Sequence, residues 1–229
     1  MESTVDSQVD PKTHFPQVDI MRIKVMSTIS VITWICLTTV TGFAGERWTP
    51  LFNGKDLAGW RAEGKERWTV QNGAIVGEAV TDKYGYLVTE KTYRDFHLRV
   101  KFKCDAAGNY GLFFRSRITG EGKWGPDIEG LQAEIDPSRD TGGIYESAGR
   151  EWLARSTPEA LKILKPFDWN ELEVVAKGSH VTTRLNGRQM IDFEDSAPRF
   201  HDGVIGLQLH SGGGMKIHFK DIEIQVLDK

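Results

Sequence analysis

Leu131-Gln132-Ala133-Glu134-Ile135-Asp136, closed by Pro137, alternates without a break. Side chains flip at every residue of a strand, so Leu131, Ala133 and Ile135 share one face and Gln132, Glu134 and Asp136 the other. The apolar face belongs against a core. The other face then carries an amide and two carboxylates in a row, roughly 6–7 Å apart. Pro137 has no N–H to offer a ladder and ends the strand. A glycine-rich aromatic loop, Thr141-Gly142-Gly143-Ile144-Tyr145, follows. Together they read as the floor and wall of a site.

The same alternation recurs on both sides. Phe96, Leu98, Val100, Phe102 and Cys104 face in, while His97, Arg99, Lys101 and Lys103 face out. Asn72-Gly73 and Asn186-Gly187 each sit between alternating runs, the signature of a two-residue hairpin turn. Asn53-Gly54 gives a third tight-turn signal. Thr157-Pro158-Glu159 reads as a helix cap with proline at the first position, and a short helix is expected through about Leu164. About a dozen short strands with hairpin-length connections predict an all-β, antiparallel two-sheet β-sandwich with one short helix. No heptad, blade repeat or second domain is visible.

The chain has 229 residues and a net charge of −3. Met21-Arg22-Ile23-Lys24 followed by the apolar Val25–Val40 run and Gly42-Phe43-Ala44 is laid out as a secretory signal peptide, cleaved after Ala44. Residues 1–44 are thus read as an N-terminal extension plus signal, and residues 45–229 as the domain. The expected location is secreted or periplasmic, with no stable membrane insertion after cleavage. No basic patch points to nucleic acid. Only Cys104 remains after cleavage, so no intrachain disulfide supports the domain. Neither Cys-x-x-Cys nor His-Glu-x-x-His occurs. Seven tryptophans are many for this length and suit aromatic binding surfaces.

Three strands place unusual polar groups on one face: Arg115, then Gln132, Glu134 and Asp136, then Gln208 and His210. Neighbouring one another, they would line one concave sheet beside Tyr145, Trp152 and Arg150. Such a set suits a sugar, since planar polar groups pair with hydroxyls and aromatic faces with ring C–H groups. Glu134 and Asp136 repel, so one holds its proton more tightly and can act as an acid. Glu134-Ile135-Asp136 also matches half of the Glu-x-Asp-x-x-Glu pattern of laminarinase-type glucanases. Arg139 stands where the third carboxylate belongs, which argues against that retaining mechanism.

Leu51-Phe52-Asn53-Gly54-Lys55-Asp56-Leu57 with Gly59-Trp60 resembles the opening motif of the 3-keto-disaccharide hydrolase domain family. Gly108-Asn109-Tyr110-Gly111-Leu112-Phe113-Phe114-Arg115, Gly130–Pro137, Thr141–Glu146, Trp169-Asn170, Leu185-Asn186-Gly187 and Gly206–His210 resemble its later segments in family order. Tyr110 replaces the usual serine. The resemblance implies a jelly-roll, concanavalin A-like sandwich, secretion in many bacteria, and hydrolysis of 3-keto-glycosides by elimination and water addition. That chemistry needs a base, an acid for the leaving oxygen and an enolate stabiliser. Glu134 or His210 is expected as base, Asp136 as acid and Arg115 as oxyanion partner. Gln132, Tyr145, Gln208, Arg150 and Trp152 are expected to bind the sugar. No cofactor is predicted, although Glu134, Asp136 and His210 form a donor set that suits a divalent ion. The competing expectation is a non-catalytic carbohydrate-binding module on the same sandwich.

Overall fold

The computed structural model describes residues 47–227. The expected signal peptide and the segment before Met21 lie outside the described residues. The first strands are β1 (Thr49–Pro50), β2 (Trp60–Glu63), β3 (Arg67–Gln71), β4 (Ala74–Glu78), β5 (Gly85–Thr89) and β6 (Phe96–Cys104). A long hairpin follows, β7 (Tyr110–Gly122) and β8 (Gly125–Ile135), then the short β9 (Ile144–Ser147) and β10 (Glu151–Ala154). After the helix α1 (Pro158–Leu161) come β11 (Asn170–Lys177), β12 (His180–Leu185), β13 (Arg188–Glu194), β14 (Val204–Leu209) and β15 (Lys216–Val226).

These strands form two antiparallel sheets. The back sheet runs β13-β12-β11-β6-β15-β4-β3, with β1 also paired to β15. The front sheet runs β10-β9-β8-β7-β14-β5-β2. The expected two-sheet sandwich is therefore the observed one. Its core holds Leu98, Val100 and Phe102 from β6 against Leu112 and Phe114 from β7, Leu131, Ala133 and Ile135 from β8, and Leu207 and Leu209 from β14. Each such fully buried leucine or phenylalanine contributes about 1.5–3 kcal/mol, so these facing rows dominate the stability. Cys104 is buried among them and unpaired. Burial, then the charges of Asp136 and Asp105, pushes its thiol up to about 12.

The outward residues of β6 are paired across the back sheet, as with His97 and Glu173 at 2.8 Å and Lys101 and Asp221 at 2.9 Å. Two of the three predicted turns are tight hairpins: Asn72 and Gly73 both have positive φ, as do Asn186 and Gly187, which matches the twist of the strands they join. Asn53-Gly54 behaves differently. β1 lies in the back sheet and β2 in the front, so this loop carries the chain across the sandwich. The Asn53 side chain holds it by accepting from the N–H groups of Lys55 and Asp56 at 2.8 and 3.0 Å. The helix is capped as expected, with Thr157 Oγ1 accepting from Ala160 N at 3.1 Å, but it ends at Leu161.

Candidate functional site

The front sheet bears a cavity of about 590 Å³ on its outer face. Strand register explains its lining. Glu134 of β8 pairs with Gly111 of β7, which pairs with Gln208 of β14, which pairs with Tyr86 of β5. The next row, two residues along, is Trp152, Tyr145, Gln132, Phe113 and the side-chain-free Gly206. Gln132, Glu134, Tyr145, Trp152, Gln208 and His210 all line the cavity. Six of the nine residues expected from the sequence are thus brought together.

Glu134 is the electrostatic centre. Its side chain is almost completely buried. Gln132 Nε2 donates to its Oε2 at 2.6 Å, and the Asn109 amide meets Oε1. Gln132 reaches it by lying over Gly111, where a Cβ would fall 2.7 Å from the Gln132 amide. Burial, followed by the negative charges of Asp136 and Asp140, pushes the Glu134 carboxyl up to about 8, against the opposing hydrogen bond from Asn109. At neutral pH Glu134 therefore carries a proton. Asn109 Oδ1, buried at this wall, has no hydrogen-bond partner. Gln208 Oε1, also buried and unpartnered, belongs to the cavity wall as well. Two free acceptors beside a protonated acid are what sugar hydroxyls would satisfy.

His210 follows β14, its N–H donating to Asn109 O at 3.3 Å. Asn109 thus stands between Glu134 and His210, which lie two strand spacings apart and two residues out of register, about 12 Å at the backbone. His210 Nδ1 lies 3.1 Å from Ser211 O and 3.3 Å from Ser211 Oγ, and it is the Nδ1–H tautomer that satisfies the carbonyl. Nε2 is then free to accept from the Tyr84 hydroxyl at 3.2 Å. Tyr145 and Trp152 form an edge-to-face pair with centroids 5.4 Å apart, and the Arg155 guanidinium covers Trp152 at 3.9 Å.

Three expected residues lie elsewhere. Arg115 is only 1% exposed, because φ of +48° at a bulge in β7 breaks the alternation that would have aimed it into the cavity. Its guanidinium donates to Arg94 O at 2.7 Å, Gly178 O at 2.7 Å and Asp95 Oδ1 at 2.8 Å. It is a structural clamp, paired with Asp95 and with neither Glu134 nor Asp136. Asp136 falls one residue past the end of β8 and does not line the cavity. Its Oδ1 accepts from Ser138 N at 2.8 Å and Ser138 Oγ at 2.6 Å, holding the turn. It acts on Glu134 through its charge alone. Arg150 is engaged by Asp195, at 2.9 and 2.7 Å, and by the fully buried Glu146. With Arg199 this network fixes the β9–β10 turn, whose Ser147, Ala148 and Trp152 face the cavity.

Asn109, Tyr84, Tyr86 and Arg139 also line the cavity and were not among the site residues expected from the sequence. Tyr86 could have been found, since Leu87 beside it is a core residue and Tyr86 must face the other way. Among the described residues no three His, Cys, Asp or Glu side chains are grouped to hold a metal. Glu134, Asp136 and His210 therefore do not form the donor set considered above.

The two-sheet antiparallel sandwich is the fold of a Bacillus subtilis protein described as galectin-like, with 18% identity and a TM-score of 0.60. The chain belongs to the 3-keto-alpha-glucoside-1,2-lyase-like domain family, whose model matches residues 47–225. It is 24% identical to a 3-keto-disaccharide hydrolase of Bacteroides thetaiotaomicron, over 78% of each chain. Among solved structures it resembles a proposed glycosyl hydrolase from Parabacteroides distasonis, with 24% identity, a TM-score of 0.59, and coverage of 79% of this chain and 94% of that one. It is also similar to a carbohydrate-binding module from Bacillus subtilis, with 20% identity, a TM-score of 0.55, and coverage of 73% and 95%.

Proposed function

We propose that this domain cleaves the glycosidic bond of a 3-keto-glycoside by elimination and rehydration. The observation that carries the reading is Glu134: a buried carboxyl on the cavity wall, protonated up to about pH 8, with His210 across Asn109 from it. A ketone at C3 acidifies the C2 hydrogen. That proton passes to the Tyr84 oxygen as the Tyr84 proton passes to His210 Nε2. The C2 electron pair forms the C1–C2 double bond, the C1–O bond breaks, and Glu134 gives its proton to the leaving oxygen. Water then adds oxygen to C1, returning a proton to Glu134. The imidazolium returns a proton to C2 through Tyr84. The second amide N–H of Gln132 and those of Gln208, with Arg139 at the rim, would meet the enolate oxygen. Asp136 and Arg115 have no part in this scheme. It differs from the chemistry expected above by making Glu134 the acid.

The second reading, a sugar-binding module, draws on the Tyr145–Trp152 pair and on the unpartnered Gln208 acceptor. One experiment separates the two. The purified domain is given 3-keto-trehalose, and free glucose and loss of the keto sugar are followed with and without a chelator. Turnover that falls about 10²–10⁴-fold in Glu134→Gln supports the enzyme. Binding of a plain glycan with no turnover of any 3-keto-glycoside supports the module.

A further inference from the structure

The β7–β8 hairpin is far longer than the strands beside it. Its root lies level with the start of β5: Ile135 pairs with Tyr110, Tyr110 with Leu209, and Leu209 with Gly85. Extended in line, the 13 residues of β7 would carry the tip roughly 40 Å from that row. The tip is instead back beside it. Tyr84, the residue before β5, donates its N–H to Trp124 O at 2.7 Å, and Lys83 Nζ donates to Lys123 O at 2.7 Å. The ladder slips twice on the way out, between Phe114 and Arg117 and between Ile118 and Gly120. Bulges bend a ribbon, and these two turn the hairpin over. Gly130 permits the close packing at the bend, since a Cβ there would fall 2.2 Å from Ser116 Oγ. The returning arm lays Ile118 and Ile128 on Tyr86, Val88 and Phe113, which buries that apolar patch. It also sets Thr119, Pro126 and Asp127 along the cavity.

Tyr84 precedes Gly85, the first paired residue of β5, so the hairpin tip rather than the sheet holds its backbone. Gly125 has φ of +103°, and a Cβ on it would fall 2.8 Å from Tyr84 O and 3.3 Å from Tyr84 N. Gly64 presses on the same oxygen from elsewhere, again with a Cβ position 2.8 Å away. The loop before Tyr84 is pinned further back, where Thr81 N donates to Glu66 Oε2 at 3.1 Å and Gly212 N to Asp82 O at 3.1 Å. What the tip fixes is the end of this loop. There the Tyr84 hydroxyl stands 3.2 Å from His210 Nε2, with the two rings 4.7 Å apart. One ribbon thus carries Glu134 near its root and grips Tyr84 with its tip.

We infer that the hairpin tip positions Tyr84. Gly125 lets the two backbones touch, the Trp124 carbonyl takes the Tyr84 N–H, and together they set the Tyr84 hydroxyl against His210 Nε2. The use of that hydroxyl in proton transfer rests on the cleavage proposed above, while its placement rests on these contacts alone.

Gly125→Ala tests the placement, because the added methyl lifts the tip from Tyr84. In protein labelled with heavy nitrogen at histidine, the Nε2 resonance of His210 reports the bond from Tyr84 with no substrate present. His210→Gln identifies the resonance by its absence, and Tyr84→Phe sets the displacement for complete loss of the bond. Gly125→Ala should move the resonance in the same direction by at least half as much. Lys83→Met frees Lys123 O without adding a clash and should move it less, and it decides the matter should Gly125→Ala not fold. On 3-keto-trehalose, kcat of Gly125→Ala should fall about 10–100-fold with KM unchanged within about twofold. A His210 resonance at its wild-type position in the folded tip variants, or in Tyr84→Phe, overturns the inference. A displaced resonance with kcat unchanged, or with no turnover by any form, upholds the placement and removes Tyr84 from the proposed reaction.

Discussion

Replacing Gly111 by alanine separates the site from the fold. The new Cβ would lie 2.7 Å from Cδ and Nε2 of Gln132 and 2.9 Å from its Cγ, so the Gln132 side chain must swing away. That movement breaks the 2.6 Å bond from Gln132 to Glu134. The lost bond costs about 0.5–1.5 kcal/mol when the acid is neutral. Alanine at an unstrained position returns about 0.4–1 kcal/mol by restricting the unfolded chain. The net change stays within about 1 kcal/mol, a Tm shift of no more than about 4 °C for a domain of this size. The chemical effect should be larger. Without the Gln132 donor the Glu134 carboxylate is less stabilised and holds its proton to higher pH. The added methyl also fills the floor between Glu134 and Gln208. Loss of about 10–100-fold in kcat/KM is expected, equivalent to about 1.4–2.8 kcal/mol of transition-state stabilisation. Thermal denaturation and a pH–rate profile on a 3-keto-glycoside read both quantities. Unchanged kcat/KM with an unchanged alkaline limb would refute the role given to Gln132. A Tm fall above about 10 °C would show that Gly111 serves packing rather than the site.

Wild-type kcat/KM should fall on the alkaline side as Glu134 ionises through about 8, and a profile flat to pH 10 would remove it as the acid. Stability carries the same signature. The folded value lies above the ordinary 4.5, so the contribution is complete below 4.5 and is lost as pH rises through about 8. The Tm of Glu134→Gln should therefore gain on wild type between pH 5 and 9. Arg115→Met strands Asp95 and the Arg94 and Gly178 carbonyls, at a cost of about 3–5 kcal/mol and a Tm loss of roughly 6–20 °C. Its alkaline limb should not move, and a catalytic defect at unchanged Tm would restore Arg115 to the reaction. Glu146→Gln removes the buried charge that Arg150 and Arg199 share and should cost about 1–3 kcal/mol in denaturant titration. A rise in KM should accompany it, since Trp152 stands on the turn this network fixes.

What could be read in advance follows a physical line. Alternation within one strand is a local property, and it placed Leu131, Ala133 and Ile135 in the core and Gln132 and Glu134 on the open face. It failed where the backbone departs from the pleat. Arg115 turns inward at a residue with positive φ, and nothing in Phe113-Phe114-Arg115-Ser116 announces that bulge. Asp136 shares the parity of Glu134, but the strand stops at Ile135 and the carboxylate turns to Ser138. Arg150 turns away from the cavity to Asp195, a partner 45 residues distant in the chain. The pairing of Gln208 with Tyr86 and the approach of Tyr84 to His210 are likewise long-range contacts, which no local pattern encodes.

The order of strands bears on how the domain is made. β15, the final strand, lies between β6 and β4, and β14, the one before it, lies between β7 and β5. The interior of each sheet is thus supplied by the closing part of the domain. During synthesis β6 and β7 wait with open edges until some hundred residues more have left the ribosome, so neither sheet can be completed early. Such long-range closure is slow and leaves apolar edges exposed to other nascent chains. Shortening the domain by the residues of β15 alone would take a strand from the interior of the back sheet rather than trim its rim.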